Sequence, residues 1–421
     1  MAHDSLGGVV AYLAEAPKKS ADSVLSGFTA RQEDGLRRKA QKMNPKVDEA
    51  NWTANKVRSI VAVSSDIQSR LAGETHRLGT AFKQEMRFGR WIDSIVGKKY
   101  KLYYGPGMTG AELDALAGDL PDNCHVVCGD DSFYKIDGVF YENDFSKFDA
   151  SRCESGIRAT TTVLLGCGMH GAAAAELEEL ADFDYVASTH GMVLRGSVCS
   201  TFPTGVITTT VANTVTNAMA GFALFERLGH GDSVDQAVAW VSDQLGLVQK
   251  FKRTGTLHGT TFLKGWWVPT LSHGDVWVNL PSAICKAAKV LKDPAVVFKK
   301  TAGGSLELAY KQMAGAIGAS WQVGRTYPIF GAFLEVCDRY GAPVENPGGY
   351  ATFLLDDYAF KARAAIHDDY DVDAIYELMA VRYGCSVEAM RECDRLIRAV
   401  ASLPWLLDHP VLTALYRVDY M

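Results

Sequence analysis

Six residues in one short stretch have the types and spacing to do chemistry together: Gly129-Asp130-Asp131, then Asp144 and Asp149, with Cys128 just ahead of the glycine. Val126 and Val127 lead into the first group, and Phe133, Tyr134 and Ile136 follow it as strand-forming residues. Asp137-Gly138 comes next, the strongest short signal for a hairpin, because both central positions of a type I′ turn need φ > 0. A third run, Val139-Phe140-Tyr141, follows at once. With Asp137 and Gly138 as the two loop residues, Ile136 falls opposite Val139 and Asp131 falls opposite Asp144. Directly opposed residues have Cβ atoms about 4.5–5.5 Å apart, and two carboxylates that close repel. The usual agent that relieves such a cluster of hard oxygen ligands is Mg²⁺ or Mn²⁺. Asp130 sits at the tip of the first turn, and Asp149 lies beyond Phe145 to Phe148.

The elements that must position these groups can be read on either side. Thr109-Gly110-Ala111-Glu112 has capping-box form and is followed by Leu113, Leu116 and Leu120, so a short amphipathic helix ending at Pro121 feeds the acidic hairpin. Upstream, Lys83, Arg87 and Arg90 fall at i, i+4 and i+7, on one side of a helix; an extended, looping chain would instead bring them to one anion from several directions. Lys98, Lys99 and Lys101 continue the positive character. Downstream, 150–165 and 170–183 read as helices. The chain then becomes rich in Gly, Ser and Thr from Gly191 to Gly205. Residues 206–217 are β-branched, which favours a strand by propensity. Their spacing favours a helix, since Val211, Val215, Met219 and Phe222 share one face while Thr209 and Asn213 share another. A glycine loop running into such a helix suits a nucleotide or backbone contact. Residues 233–245 read as a helix, 247–251 and 260–268 as strands, and the chain from about 269 onward as helices, including 305–314 and 387–401.

The chain has 421 residues, length for two or three compact units. Its net charge of −6 argues against a protein that coats nucleic acid throughout. Residues 1–100 nonetheless carry a net +6, enough for one wall of a polyanion channel. The nine cysteines show no zinc-type spacing, which suits free thiols in a reducing compartment. No apolar run reaches the ~18 residues of a membrane span, and the first residues do not read as a secretory leader, so a cytosolic location is expected.

Taken together, these segments resemble viral RNA-dependent RNA polymerases. Asp144-x4-Asp149 resembles their motif A, Thr204-Gly205-x3-Thr209-x3-Asn213 their motif B, and Cys128-Gly-Asp-Asp131 their motif C. Lys83-x-Glu85-x-Arg87 with Arg90-x-Ile92 is similar to motif F, and Lys250 or Lys252 and Phe262-Leu-Lys-Gly265 are similar to motifs D and E. The resemblance covers roughly residues 80–270. Here the Gly-Asp-Asp precedes motif A, the C-A-B order of the permuted polymerases of birnaviruses and permutotetraviruses. No second acidic pair follows motif B, which supports permutation. Thr204 stands where the family usually has Ser.

The resemblance implies an α+β right-hand polymerase with permuted palm motifs: fingers over 1–105 and 153–195, a palm with an antiparallel RRM-like sheet over 106–152 and 196–270, and a helical thumb over 271–421. It implies Mg²⁺ or Mn²⁺ on Asp130, Asp131 and Asp144, with Asp130 the main ligand, which a bulge or a longer turn would reconcile with the plain register. It further implies a triphosphate gripped by Lys83, Arg87 and Arg90, a ribose 2′-hydroxyl sensed by Asp149 and Asn213 with Thr209, a flexing Thr204-Gly205 loop, and Lys250 or Lys252 as proton donor. The implied partners are an RNA template, the nascent RNA and nucleoside triphosphates, in a replication complex or virion in the host cytoplasm. Two other classes fit parts of the pattern. One is a palm enzyme making DNA, such as a reverse transcriptase, which Asn213 disfavours; the other is a non-catalytic RNA-binding protein.

Overall fold

Asp137 and Gly138 adopt φ of 49° and 81°, the left-handed values that a type I′ turn needs, and the chain reverses there. The computed structural model describes residues 41–45, 59–93, 95–146, 148–189, 192–287, 295, 298, 301–321, 323–343, 366–405 and 407–420. Of the short basic run Arg37, Arg38, Lys39 and Lys42, only Lys42 lies within the described residues. Two compact units result: among the described residues the first draws on 41–45, 59–107 and 120–255, and the second on 108–119 and 256–420.

The first unit contains β1 (Gln41–Pro45), β2 (Ser59–Ala62), α1 (Ser65–Met86), β3 (Arg90–Ile92) and β4 (Tyr100–Tyr104). After α2 (Gly110–Asp119), which belongs to the second unit, the first resumes with β5 (Cys124–Cys128), β6 (Asp131–Ile136) and β7 (Val139–Phe145). A 3-10 turn (Phe148–Ser151), α3 (Glu154–Gly166), α4 (Gly171–Glu179), β8 (Phe183–Thr189) and β9 (Met192–Val198) follow. The unit closes with α5 (Thr209–Gly229), α6 (Val234–Leu245) and β10 (Gln249–Gly255).

Its main sheet has the order β10-β7-β6-β5-β4-β3, antiparallel throughout except for the parallel pair β4 and β5. A smaller sheet has the order β2-β1-β8-β9 and joins segments far apart in sequence. The β8–β9 hairpin departs from the expectation of a helix running to 183: α4 stops at Glu179, and Phe183, Tyr185 and Val186 are β-formers that an alanine-rich approach obscures.

The β-branched stretch after Pro203 becomes the helix α5, as its spacing suggests and its propensity does not. Two features explain this. Thr214 and Thr216 donate their hydroxyls to the carbonyls of Thr210 and Ala212, at 2.6 and 2.9 Å, which gives these buried hydroxyl protons acceptors within the helix. The helix also serves two cores: Val211 and Val215 pack with α1, α3 and α4, while Ala220, Leu224, Phe225 and Leu228 pack beside β4, β5 and β6. Gly221 lets α5 approach the sheet closely, since a Cβ there would come within 2.3 Å of His125 Nδ1.

The second unit holds α2 and a three-stranded sheet of β11 (Thr261–Phe262), β12 (Gly265–Pro269) and β13 (Asp275–Asn279). Helices α7 (Ala283–Ala287), α8 (Leu306–Ser320), α9 (Phe330–Tyr340), α10 (Val372–Tyr383), α11 (Val387–Arg398) and α12 (Pro410–Tyr420) complete it. The expected strand over 260–268 is in fact a tight hairpin, because Leu263 and Lys264 take φ of 56° and 63° and reverse the chain. The α2 capping box forms, with Thr109 and Glu112 each accepting from the other's backbone N–H. No helix among the described residues is long and apolar enough to cross a membrane.

Candidate active site

Four strands, β5, β6, β7 and β10, and the helix α5 build the site. Between β5 and β6 the chain turns through Gly129 and Asp130, with Cys128 paired to Asp131 and Gly129 at φ 66°. This turn is tied to α5 on both sides of its glycine: Gly129 N–H donates to Thr214 Oγ1 at 2.8 Å, and Asn217 Nδ2 donates to the Gly129 carbonyl at 3.1 Å. Two bonds to one buried helix fix the height and direction of the Asp130-Asp131 peptide. Asn217 also accepts from Ser132 Oγ, which accepts in turn from Asn143 of β7. A chain of side chains therefore runs from the turn, through the helix, to the strand that carries Asp144.

The register between β6 and β7 is unbroken, from Ile136 opposite Val139 to Ser132 opposite Asn143. One further step along both strands places Asp131 across from Asp144, as the Asp-Gly turn requires. The bulge or longer turn that would favour Asp130 is not formed: the pairing shifts nowhere along the two strands. Asp130 lies in the turn and Asp131 at the start of β6, so both carboxylates sit at the end of the sheet that Asp144 also occupies.

Strand β10 brings a cation to the same end. Lys250 pairs with Asp144 in register, and its Nζ lies 2.8 Å from Asp144 Oδ2, both side chains more than half exposed. Lys252, two residues on, is paired with Glu142 instead. Of the two lysines left open by the sequence, Lys250 is therefore the one in contact with an acidic site residue.

The donor chemistry of Asp130, Asp131 and Asp144, all hard carboxylate oxygens, fits Mg²⁺ or Mn²⁺. Their convergence is looser than the sequence alone suggests. Among the described residues, the one group of three His, Cys, Asp or Glu side chains whose ligand atoms all lie within 4.8 Å of one another is elsewhere, at His273, His367 and Asp369.

Beside this end of the sheet, Asn213 Nδ2 donates to Asp149 Oδ1 at 2.7 Å. The pair joins the 3-10 turn after β7 to the first turns of α5. Asn213 is oriented by Arg152, which the sequence did not single out: Arg152 Nη1 donates to Asn213 Oδ1 at 3.2 Å, and Nη2 donates to Thr160 Oγ1 at 2.7 Å. Its guanidinium also lies over the rings of Phe148 and Phe202, at 5.7 and 5.3 Å. Burial pulls its pKa down to about 10, opposed by the charge of Asp149, so it stays cationic at neutral pH. With Arg152 claiming the amide oxygen, the Asn213 amide nitrogen is left facing Asp149.

The loop ahead of α5 is held by α1. Gln68 Nε2 donates to the Gly205 carbonyl, and Gln68 Oε1 accepts from Ile207 N–H. Thr75 and Thr208 share a hydrogen bond of 2.8 Å between hydroxyls, and Thr204 Oγ1 accepts from Val61 N–H at 3.3 Å. Thr209 donates to the Val206 carbonyl at 2.6 Å, a local bond that fixes the start of the helix. In the structure Thr209 is therefore a loop-fixing residue, and only Asn213 of the two reaches Asp149.

The basic residues 83, 87 and 90 do not form one helical face. Helix α1 ends at Met86, Arg87 caps it, and Arg90 begins β3. Lys83 lies along the loop after β4, where a Cβ on Gly107 would be 3.3 Å from its Nζ. Arg87 is buried at 8% exposure, and its guanidinium donates to the carbonyls of Tyr104 and Pro106 at 3.1 and 3.0 Å. Arg87, expected to grip an anion, is here turned to these carbonyls and props the 104–107 loop. Arg90 is exposed and ion-paired with Glu85 at 2.7 Å.

With this geometry in place, two solved structures are similar to the chain. The birnavirus VP1–VP3 complex matches at 13% identity with a TM-score of 0.41, over 86% of this chain and 48% of that one. The RNA polymerase VP1 from Infectious Pancreatic Necrosis Virus matches at 12% identity with a TM-score of 0.41, over 87% and 48%. The chain thus spans about half the length of each. No family model and no curated protein matches it.

Proposed function

We propose that the chain copies RNA by template-directed nucleotidyl transfer, on a palm whose motifs run in the order C-A-B. One observation carries this reading: the register that sets the Gly129-Asp130-Asp131 turn on the strand next to Asp144, with Asn213 hydrogen-bonded to Asp149 alongside. In this reading, residues 1–105 and 153–195 are fingers, 106–152 and 196–270 palm, and 271–421 thumb.

Divalent ions held by Asp130, Asp131 and Asp144 would activate the primer 3′-hydroxyl and offset the charge of the leaving pyrophosphate. The chain's own groups do the rest. Phosphoryl transfer depends chiefly on alignment and placed charge, and no covalent nucleophile is needed. Lys83 and Arg90 supply positive charge for the triphosphate, with Arg87 holding the 104–107 loop beside Lys83. Asp149 and Asn213 present an acceptor and a donor, the pair that recognises a ribose 2′-hydroxyl and so separates RNA from DNA precursors. Gln68 and Thr75 hold the Thr204-Gly205 loop against α1. Lys250, in contact with Asp144, would donate a proton to the leaving group. RNA template and product are the implied partners, in a viral replication complex or virion within the host cytoplasm.

The test is incorporation of labelled nucleotide on a homopolymer RNA template with Mg²⁺ or Mn²⁺. Incorporation of ribonucleotides in preference to deoxyribonucleotides is expected. Preference for deoxyribonucleotides would point to a reverse transcriptase, and salt-sensitive RNA binding without metal-dependent incorporation would point to a binding protein.

A further inference from the structure

Outside the proposed active site, the second unit brings three metal-ligating side chains together from segments the sequence holds far apart. His273 lies in the turn between β12 and β13, and His367 and Asp369 lie just ahead of α10. One ligand atom from each is within 4.8 Å of the other two. His273 Nδ1 is 2.8 Å from Asp369 Oδ2, and the two imidazole rings are 5.9 Å apart between centroids.

A fourth residue completes the arrangement. Asp114 of α2 has one carboxylate oxygen on the backbone N–H of Trp277 at 2.6 Å and the other 3.1 Å from His367 Nε2. Asp114 and His367 are both mostly enclosed, with side chains 17% and 16% exposed. A carboxylate on one imidazole nitrogen fixes the ring and its tautomer, and leaves the lone pair on the other nitrogen, here Nδ1, for a metal; this pairing accompanies most metal-bound histidines. His273, by contrast, is 63% exposed, so the site opens to solvent on one side.

We propose that His273, His367 and Asp369 bind one divalent transition-metal ion, with zinc the best match, and that Asp114 orients His367 for it. Two imidazoles and one carboxylate suit zinc better than they suit the oxygen-seeking Mg²⁺. Ligands at about 2.0–2.2 Å in a tetrahedral shell stand roughly 3.4 Å apart, so the His273–Asp369 pair, at 2.8 Å, needs to part by about 0.6 Å, and a separation as wide as the 4.8 Å limit would close by about 1.4 Å. The exposed side leaves the fourth position to water. The ion acts as a clip. The segment carrying His367 and Asp369 already lies along the β12–β13 turn, with Leu271 N–H on the Asp369 carbonyl at 2.8 Å and Asp371 N–H on the Pro269 carbonyl at 3.1 Å. Metal binding would fasten that seam where two backbone hydrogen bonds now hold it.

The experiment is titration of the full chain, stripped with chelator, with Zn²⁺ alone, read by calorimetry and by metal content after dialysis. One equivalent of zinc is expected in the wild type and in Asp144→Ala, and none at this site in His273→Ala or His367→Ala. His273 is exposed, so its replacement leaves the core intact, and matched circular dichroism of the metal-free proteins checks this. Asp114→Asn keeps an oxygen for Trp277 but loses the carboxylate on His367, and zinc affinity about 10–100-fold weaker is expected. Absence of zinc binding in the wild type, binding unchanged in both histidine variants, or binding lost in Asp144→Ala would overturn the proposal.

Discussion

Two groups of potential metal ligands, one in each unit, differ in how they are announced and in how closely they gather. Asp130, Asp131 and Asp144 are conspicuous in the sequence and are joined by a hairpin register, yet their carboxylates are not the tightest cluster. His273, His367 and Asp369 carry no sequence signature and draw within 4.8 Å of one another. Charge explains the contrast. Three like carboxylates repel at short range, and the chain supplies Lys250 at 2.8 Å to offset one of them. Two imidazoles and one carboxylate can approach at little electrostatic cost, and one of them is already steered by Asp114. On the proposed reading, the acidic group is completed by substrate and ions during turnover, and the histidine group holds a shape.

The comparison can be broken first at the acidic group. Asp144→Ala and Asp130→Ala are each expected to lower nucleotide incorporation at least ~100-fold, as the loss of a main electrostatic stabiliser does, while far-ultraviolet circular dichroism stays unchanged; full activity in either would end the assignment. Lys250→Met sharpens it further. Turnover should fall roughly 100-fold, the lower range for a general acid, whereas stability should change by less than about 1 kcal/mol because the ion pair is exposed and screened by solvent. Lys252→Met serves as the control and should leave turnover unaltered. Asn213→Ala should reduce the preference for ribonucleotides over deoxyribonucleotides by about 10-fold, or ~1.4 kcal/mol, measured as a ratio of kcat/KM values. Arg152→Met should weaken the same preference less, because Asn213 remains but loses its anchor.

A further test, read as stability and not as turnover, concerns the sheet beneath the acidic turn. His125 is wholly buried and stacked on Tyr134 at 4.1 Å, and burial pushes its pKa down to about 3, opposed by Asn217. The unfolded chain, with a histidine near 6.5, therefore binds more protons than the folded chain between pH ~6.5 and ~3. Stability is fully present above that window and falls as pH drops through it, by about 1.4 kcal/mol per pH unit. Urea midpoints measured across the window should lose part of this slope in His125→Phe; an unchanged slope would show that His125 is not the group responsible.

How much of this was legible in the sequence depends on where each residue's partner lies. The β6–β7 hairpin was readable because Asp137-Gly138 and period-two patterning are local signals, and the register follows by counting. Helix α5 was readable from spacing against propensity, since its threonines satisfy their hydroxyls within the helix. The β8–β9 hairpin was hidden behind an alanine-rich helix. Arg152 and Gln68 were missed because their partners stand 61 and 137 residues away, and nothing nearby marks them as more than ordinary polar residues. The environment of Arg87 was hidden for a related reason: spacing placed it beside Lys83 and Arg90, but the helix ends at Met86 and the guanidinium turns inward to two carbonyls. His367 is paired with an aspartate 253 residues away, a relation no pattern of spacing could reveal.

The most direct test is an anomalous-scattering map of a crystal soaked with Mn²⁺ and a non-hydrolysable ribonucleoside triphosphate. Manganese is expected between Asp144 and the Asp130-Asp131 turn, with Lys250 moved off Asp144 and the ribose against Asn213. Manganese confined to His273, His367 and Asp369, with Lys250 still bonded to Asp144, would contradict that expectation.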